Sequence, residues 1–207
     1  MKRVAIIWML CALGSGVAVS AQDQGSMPVS EIIKWQQPSR VLGLLSVRQG
    51  ERVADLEAGA PLFLRSLAST VKEQGKLYIV ESDPERLEAL EKEAARSPYG
   101  NTVVVRGSEA DPGLPAGELD LVLAVNTWHR VENRRAMRKA VQRALKPGGR
   151  LAIIDWHDGD IPVAPPIEQR LPHDKLVNEM KSAGWTVTTD SRMLEYQYLV
   201  ILTPPAR

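Results

Sequence analysis

The chain has 207 residues, which is enough for one domain of ordinary size with a substantial core and too few for two comfortable ones. It carries 26 basic and 25 acidic side chains, and 44% of its residues are hydrophobic and 25% charged. A composition this close to neutrality is that of an ordinary globular protein. It argues against a disordered chain and against a surface that binds nucleic acid.

The first 21 residues have the order of regions that is typical of a cleavable secretory signal. Lys2 and Arg3 precede an apolar run at 4–13, and small residues then lead to Ala21. The run is shorter than the roughly 20 apolar residues that cross a bilayer, so we expect cleavage after Ala21, with an uncleaved anchor as the alternative. The mature protein would be periplasmic or secreted, with no stable membrane span, and it would contain no cysteine.

The rest of the chain changes pattern at Gly50. Residues 22–49 are predicted to form a linker and two short helices, and residues 50–207 a single domain in which strands and helices alternate. Such alternation predicts an α/β fold, with a parallel sheet covered on both faces. The last two strands follow each other directly, so they can pair antiparallel. The predicted strands are 52–56, 76–81, 102–106, 119–125, 150–155, 185–189 and 196–203, and the predicted helices are 61–73, 84–96, 133–145 and 173–183.

A strand, a glycine-containing turn and a helix follow one another at the start of this domain. Asp55 lies near the end of the first strand, Gly59 lies in the turn, and the second strand ends in another acid, Glu81. Ligands of parallel sheets lie beyond the carboxyl ends of the strands, where helix N termini offer N–H groups and a carboxylate can accept the ribose hydroxyls. The pattern predicts a nucleotide site, although a turn with one glycine is also a common structural feature.

Four stretches make this prediction more specific. In order and spacing, GERVADLEAGAPLFLRSLA, GKLYIVESDPERLEALE, LPAGELDLVLAVNTWHRVEN and ALKPGGRLAIIDW resemble successive motifs of class I S-adenosylmethionine (SAM)-dependent methyltransferases. The resemblance covers residues 50–203 and is closest to a group of exported bacterial proteins. It implies a single Rossmann-like sheet of seven strands in the order 3-2-1-4-5-7-6, the seventh antiparallel, with SAM as the cofactor and methyl transfer as the activity.

The resemblance also implies cofactor-binding residues. Asp55 matches the acid that closes the first strand, Gly59 the middle glycine of the DxGxGxG motif, and Glu81 the ribose-binding acid. Ser108 stands where many relatives carry an acid near the adenine, and Glu109 and Asp111 are neighbouring acids that could substitute, with a solvated loop as the alternative.

Two positions depart from the glycine motif. Glu57 stands where the first glycine is expected, and Pro61 where the third is expected. Proline is tolerated in the first turn of a helix. Glu57, however, places a charged side chain where cofactor and backbone normally touch, and it must strain the backbone if φ there is positive. We expect a steric loss of SAM affinity, although the charge could also attract the ammonium or sulfonium group.

Polar residues follow the fourth strand, where the family meets its substrate. Asn126 stands where exported relatives often have an acid, so it could hold a ligand but could not act as a base. Histidine side chains have an ordinary pKa of about 6.5 and can take up a proton near neutral pH, so His129 is the candidate catalytic base for a hydroxyl or amine nucleophile. A surface histidine with little effect on stability is the simpler expectation for this polar segment. His157 and His173 match no metal-ligand spacing, so no metal site is predicted.

Two functions therefore stay open. One is a SAM-dependent methyltransferase of the cell envelope whose acceptor, a small molecule or a protein, is unknown. The other is a binding or scaffold protein that kept the fold and lost the cofactor, which the replaced glycines and the export signal favour. A nicotinamide oxidoreductase would share the acid after the second strand, but the KPGG turn and the terminal strand pair disfavour it.

Overall fold

The computed structural model describes residues 28–57, 61–96 and 101–206. The predicted signal segment and Gly59 lie outside these residues. Within them, six helices and seven strands follow one another as α1 (Val29–Gln36), α2 (Pro38–Leu45), β1 (Arg52–Leu56), α3 (Pro61–Val71), β2 (Lys76–Glu81), α4 (Pro84–Arg96), β3 (Thr102–Arg106), β4 (Leu119–Val125), α5 (Arg134–Ala144), β5 (Leu145–Trp156), α6 (His173–Ser182), β6 (Thr186–Ser191) and β7 (Gln197–Thr203).

The seven strands form one sheet in the order β3-β2-β1-β4-β5-β7-β6. The pairs from β3 to β5 are parallel, and β7 runs antiparallel to both β5 and β6. This confirms the predicted topology. The order places β1 and β4 side by side at the centre, so their carboxyl ends, together with those of β2 and β5, meet along one edge of the sheet.

Two apolar layers hold the helices against the sheet. One face is packed by α2 and α3, through Val41, Leu45 and Phe63, and the other by α5 and α6, through Val141 and Met180. The central strands are buried on both faces, which is why β4 continues after Asp120 as the unbroken apolar run LVLAV rather than an alternating pattern. Burial on both sides fixes the strands that carry the site.

Helix α4 begins where the sequence predicts it. The Oδ1 atom of Asp83 accepts hydrogen bonds from the backbone N–H groups of Glu85 at 2.8 Å and Arg86 at 3.3 Å. These contacts satisfy donors that have no partner in the first turn of a helix. Because β2 ends at Glu81 and α4 begins at Pro84, this capped turn lies directly after Glu81.

The predicted KPGG turn is instead an irregular stretch within β5. Leu119 of β4 pairs with Leu145, whereas Leu121 pairs with Arg150, so the β5 side holds the extra residues between the two pairs. A Cβ atom on Gly149 would lie 2.6 Å from the carbonyl oxygen of Leu119, so only glycine allows this close approach of the strands. The chain therefore passes from α5 into the strand without a separate loop.

Helix α1 packs over the carboxyl end of β5. The ring of Trp35 lies 5.6 Å from that of Trp156 and 5.8 Å from that of Tyr196, measured between centroids. Both tryptophans are buried in this cluster. In the described part of the chain, no helix combines the length and the apolar character needed to cross a membrane.

Candidate functional site

Asp55 is buried near the carboxyl end of β1 with no hydrogen-bond partner among the described residues. The residue is 1% exposed, and neither carboxyl oxygen finds a donor there. Desolvation raises the pKa of Asp55 to about 8, because burial disfavours the charged form. The carboxyl group is therefore largely protonated at neutral pH, and a cation or an N–H donor brought beside it would favour ionisation.

Glu81 closes β2 and is held in a fixed orientation. Its Oε1 atom accepts backbone N–H groups from Ser82 at 2.9 Å and Asp83 at 3.0 Å. Its Oε2 atom lies 3.2 Å from Nε of Arg86, close enough for an ion pair but not aligned for a hydrogen bond. One oxygen of a buried carboxylate thus keeps its hydrogen-bonding capacity for a hydroxyl group.

An open cleft of about 670 Å³ lies beyond the ends of β2 and β3. Ser108 and Glu109 line it together with Ser82 and Asp83, so the two predicted adenine-side residues and the turn that carries Glu81 face one space. The Ser108 hydroxyl donates to the carbonyl of Asp111 at 3.1 Å and accepts its N–H at 3.2 Å. Ser108 therefore shapes the turn, while Glu109 is exposed beside it.

Glu57 adopts the left-handed conformation that its replaced glycine would favour. Its φ is 53°, which costs a residue with a Cβ atom about 1–2 kcal/mol. Oε1 accepts the hydroxyl of Ser82 at 3.1 Å, and Oε2 lies 3.2 Å from Nη2 of Arg130. The side chain thus connects the turn after β1 to the turns after β2 and β4, and its charge is met by a guanidinium group.

Asn126 follows β4 with a φ of 54° and a buried side chain. Its Oδ1 atom accepts a hydrogen bond from Nε2 of Gln197 at 2.5 Å. This hydrogen bond connects the end of β4 to the start of β7. It also uses the Asn126 side-chain oxygen that was expected to bind a ligand. Gln197 carries no motif, and only the strand order brings it to Asn126.

His129 is not the surface residue that its polar segment predicts. Its side chain is 5% exposed, and its Nδ1 atom lies 2.7 Å from Oδ1 of Asp155, which is fully buried. The backbone N–H of His129 also donates to Oδ2 of Asp155 at 2.9 Å. The cause is the short 3₁₀ turn Trp128–Arg130, in which the buried Trp128 draws the chain against the end of β5.

The other two histidines lie apart from this pair of residues. His173 opens α6, and its two ring nitrogens lie 2.7 Å from Asp174 and 2.8 Å from Asp190. His157 follows β5, and burial lowers its pKa. Among the described residues, no three His, Cys, Asp or Glu side chains are grouped so as to hold a metal ion.

Comparison with known proteins agrees with this fold. A methyltransferase-domain family matches residues 54–153. An uncharacterised methyltransferase of Mycobacterium tuberculosis is 32% identical over 152 residues, covering 72% of this chain and 54% of that protein. A ubiquinone/menaquinone biosynthesis C-methyltransferase of Haemophilus ducreyi is 27% identical, covering 74% and 57%. The chain thus spans about half the length of these curated relatives.

A solved structure gives the same result for the whole fold. A SAM-dependent methyltransferase from Aquifex aeolicus superimposes with a TM-score of 0.81 at 22% identity, covering 88% of this chain and 97% of that one. The matched family, the relatives and the seven-stranded topology together identify the fold as that of class I SAM-dependent methyltransferases, the superfamily to which the chain is similar in sequence.

Proposed function

We propose that this protein binds SAM along the carboxyl edge of β1, β2 and β3 and transfers its methyl group to an acceptor. The observation that carries the proposal is the pair of buried acids Asp55 and Glu81: both carboxyl oxygens of Asp55 and Oε2 of Glu81 accept no hydrogen bond in the described chain. A buried carboxyl group without a partner costs free energy. It is retained where a ligand completes its contacts.

The chemistry of these two groups fits the proposed cofactor. Oε2 of Glu81, which accepts no hydrogen bond although it lies near Arg86, suits a ribose hydroxyl, and the carboxyl of Asp55 suits the cationic part of the ligand. The cleft bordered by Ser108 and Glu109 supplies the adjoining space. The Glu57–Arg130 ion pair balances the charge that would repel a ligand carboxylate.

Bound SAM supplies an activated methyl group. The chain would contribute by alignment: Glu81 and the cleft would hold one end of the ligand, and side chains of the turn after β4 would contact the acceptor. Holding two reactants in the attack geometry supplies much of the rate of such a displacement.

Location in the cell envelope is part of the same proposal. It rests on the order of charged, apolar and small residues before Ala21. Mass spectrometry of the protein from its native host tests it, because a mature N terminus at Gln22 outside the cytoplasm is expected. An intact Met1 in a cytoplasmic fraction would exclude it.

A second candidate function, a binding protein without methyl transfer, is favoured by Glu57 alone. Its side chain connects three turns at the place where the superfamily has glycine. None of the comparisons supports this alternative.

Calorimetric titration of the purified protein with SAM and S-adenosylhomocysteine separates the two functions. Micromolar affinity is expected, and Glu81→Ala should weaken it about tenfold or more, since a lost hydrogen bond to a charged group is worth roughly 1.5–3 kcal/mol. Glu109→Ala serves as an exposed control. No heat at millimolar ligand would reject the methyltransferase proposal.

A further inference from the structure

A buried imidazole–carboxylate pair lies between the ends of β4 and β5. Oδ1 of Asp155 contacts Nδ1 of His129 at 2.7 Å and the N–H of Trp156 at 3.0 Å, and Oδ2 accepts the N–H of His129 at 2.9 Å. Each carboxyl oxygen thus accepts a backbone donor. Both oxygens therefore act as hydrogen-bond acceptors, as the oxygens of a carboxylate do.

This geometry fixes the tautomer of His129. Oδ1 of Asp155 is the acceptor of the 2.7 Å hydrogen bond, so Nδ1 of His129 must carry the proton and act as the donor. In the neutral imidazole the other nitrogen, Nε2, then holds a lone pair. Nε2 has no hydrogen-bond partner among the described residues, and 5% of the side chain is exposed.

The pair stands next to the proposed cofactor edge. Thr127, two residues before His129, donates its hydroxyl to the carbonyl of Leu56 at the end of β1 at 3.2 Å. Arg130, the residue after it, pairs with Glu57 in the turn after β1 at 3.2 Å. Residues on both sides of the histidine therefore contact the end of β1 or the turn after it.

We propose that His129 is the general base of this protein, that Asp155 is its positioning residue, and that the acceptor is a neutral hydroxyl compound. The inference rests on the proposed methyl transfer and names the acceptor class of that same site. The acceptor oxygen gives its proton to Nε2 as the new oxygen–carbon bond forms. The electron pair of the broken carbon–sulfur bond stays on the sulfur of the cofactor.

The acceptor class follows from the effect of a general base on each kind of nucleophile. A thiolate or a carboxylate has no proton to lose, and a neutral amine attacks with its own lone pair and releases its proton afterwards. A neutral hydroxyl gains positive charge on oxygen during the attack, so removal of its proton lowers the barrier. The imidazolium that results is stabilised by the adjacent carboxylate of Asp155, as in other histidine–aspartate pairs.

Two measurements on the ligand-free protein test the pair. Nitrogen NMR of the histidine side chains, with His129 assigned from His129→Gln, should show Nδ1 protonated and Nε2 unprotonated in the wild type. Diethyl pyrocarbonate attacks unprotonated, accessible imidazole nitrogen, and peptide mass spectrometry separates the three histidines. We expect His129 to react at least tenfold faster than His173, whose two ring nitrogens both contact carboxylates.

Asp155→Asn tests the positioning role. Its amide can donate to Nδ1, so it should move the proton of His129 to Nε2 and slow the diethyl pyrocarbonate reaction at least tenfold. Asp158→Asn is the control and should change neither result. If Asp155→Asn does not fold, the two measurements on the wild-type protein still test the proposal. A proton on Nε2 of His129, or a His129 that does not react with diethyl pyrocarbonate, overturns it.

The acceptor class is tested with a panel of phenols, aliphatic alcohols and thiols, with S-adenosylhomocysteine release as the readout. Turnover is expected with hydroxyl compounds and should fall at least a hundredfold in Asp155→Asn, with SAM affinity unchanged. Turnover with thiols alone, or none with any hydroxyl compound in protein that binds SAM, overturns the inference. Failure to bind SAM at all instead rejects the proposed function and leaves the NMR result standing.

Discussion

The Oε2 atom of Glu57 lies 3.2 Å from Nη2 of Arg130, so the residue that replaces a motif glycine is held by a cation from the turn after β4. The same side chain accepts the hydroxyl of Ser82 after β2. Its backbone stays in the left-handed region, at φ 53°. The ion pair therefore contributes to keeping a glutamate in a conformation that glycine adopts without strain.

Glu57→Gly should raise the affinity for SAM about tenfold, which corresponds to roughly 1.4 kcal/mol. The substitution removes a side chain from the glycine position, relieves the backbone strain and releases Arg130 to meet a ligand carboxylate. Calorimetric titration with SAM measures the effect. Backbone entropy makes glycine unfavourable in the folded state, so the comparison requires a temperature at which both proteins are folded.

The matched control for this change is Glu57→Gln. It keeps the size and the backbone conformation but removes the ion pair, so its SAM affinity should stay near that of the wild type if steric obstruction dominates. Weaker binding in Glu57→Gly would contradict the expectation. It would show that Glu57 is itself a contact of the cofactor.

His129→Ala should destabilise the protein by about 2–4 kcal/mol. The substitution leaves the fully buried carboxylate of Asp155 without its side-chain donor, and an uncompensated buried charge is costly. Urea denaturation measures the loss. His157→Ala removes a half-buried ring without taking the side-chain donor from a buried carboxylate, so it should cost about 1 kcal/mol or less. Equal and small losses in both variants would place His129 at the surface.

The sequence predicts the strands closely because their signals are local. The bounds of β1 to β4 agree with the predicted ones, since each is a short apolar run limited by polar or glycine-containing turns. Asp83 is recognisable as a helix cap because Pro84 and Glu85 follow it. The order of the seven strands came from the resemblance to a family, which local patterns alone do not supply.

The contacts of the site depend on packing between segments far apart in the chain. His129 and Asp155 are brought together only because β4 and β5 are neighbours, with Val125 paired to Ile154. Once that register is accepted, an acid at the end of β5 and a polar residue after β4 are predictable neighbours. The Glu57–Arg130 pair has no such signal, because it depends on the course of two turns.

Arg150 should contribute to stability without affecting the ligand site. At the amino end of the sheet, its guanidinium donates to the carbonyl of Leu45 at 2.7 and 3.0 Å and to that of Asp120 at 3.2 Å. It also pairs with the largely buried Glu51. Arg150→Met should cost about 1–3 kcal/mol, because these acceptors lose their donors. Arg150→Lys should recover only part, since lysine lacks the planar fork.

Urea denaturation and SAM titration of both Arg150 variants check this prediction. The SAM affinity should stay unchanged, because the contacts of Arg150 lie at the end of the sheet opposite to Asp55 and Glu81. Arg48→Met is an exposed control and should shift stability by less than about 0.5 kcal/mol. A loss of SAM affinity in folded Arg150→Met would contradict the expectation that Arg150, at the amino end of the sheet, does not affect the ligand site at the carboxyl end.

Asp55 should make the protein less stable as the pH rises. Its pKa of about 8 in the folded state lies above the ordinary value of 3.8, so the folded state binds more protons between these two values. The stabilisation that this group contributes is then fully present below about pH 4 and is lost as the pH rises toward 8, by at most about 1.4 kcal/mol per pH unit. Asp55→Asn should remove that slope in urea denaturation at several pH values, whereas a parallel slope in both proteins would contradict the assignment.

The same carboxyl group should couple SAM binding to proton release. If the ionised form of Asp55 meets the cationic part of the ligand, a protonated Asp55 must lose its proton on binding, so affinity should rise with pH and level off near pH 8. Titrations between pH 6 and 9 should show up to tenfold tighter binding per pH unit in the rising range, with heat that depends on the ionisation enthalpy of the buffer. Asp55→Asn keeps the shape of the side chain but cannot ionise, so the heat of SAM binding to this variant should depend less on the buffer. Affinity that stays constant between pH 6 and 8 in the wild type would show that Asp55 does not face the positive charge of the cofactor.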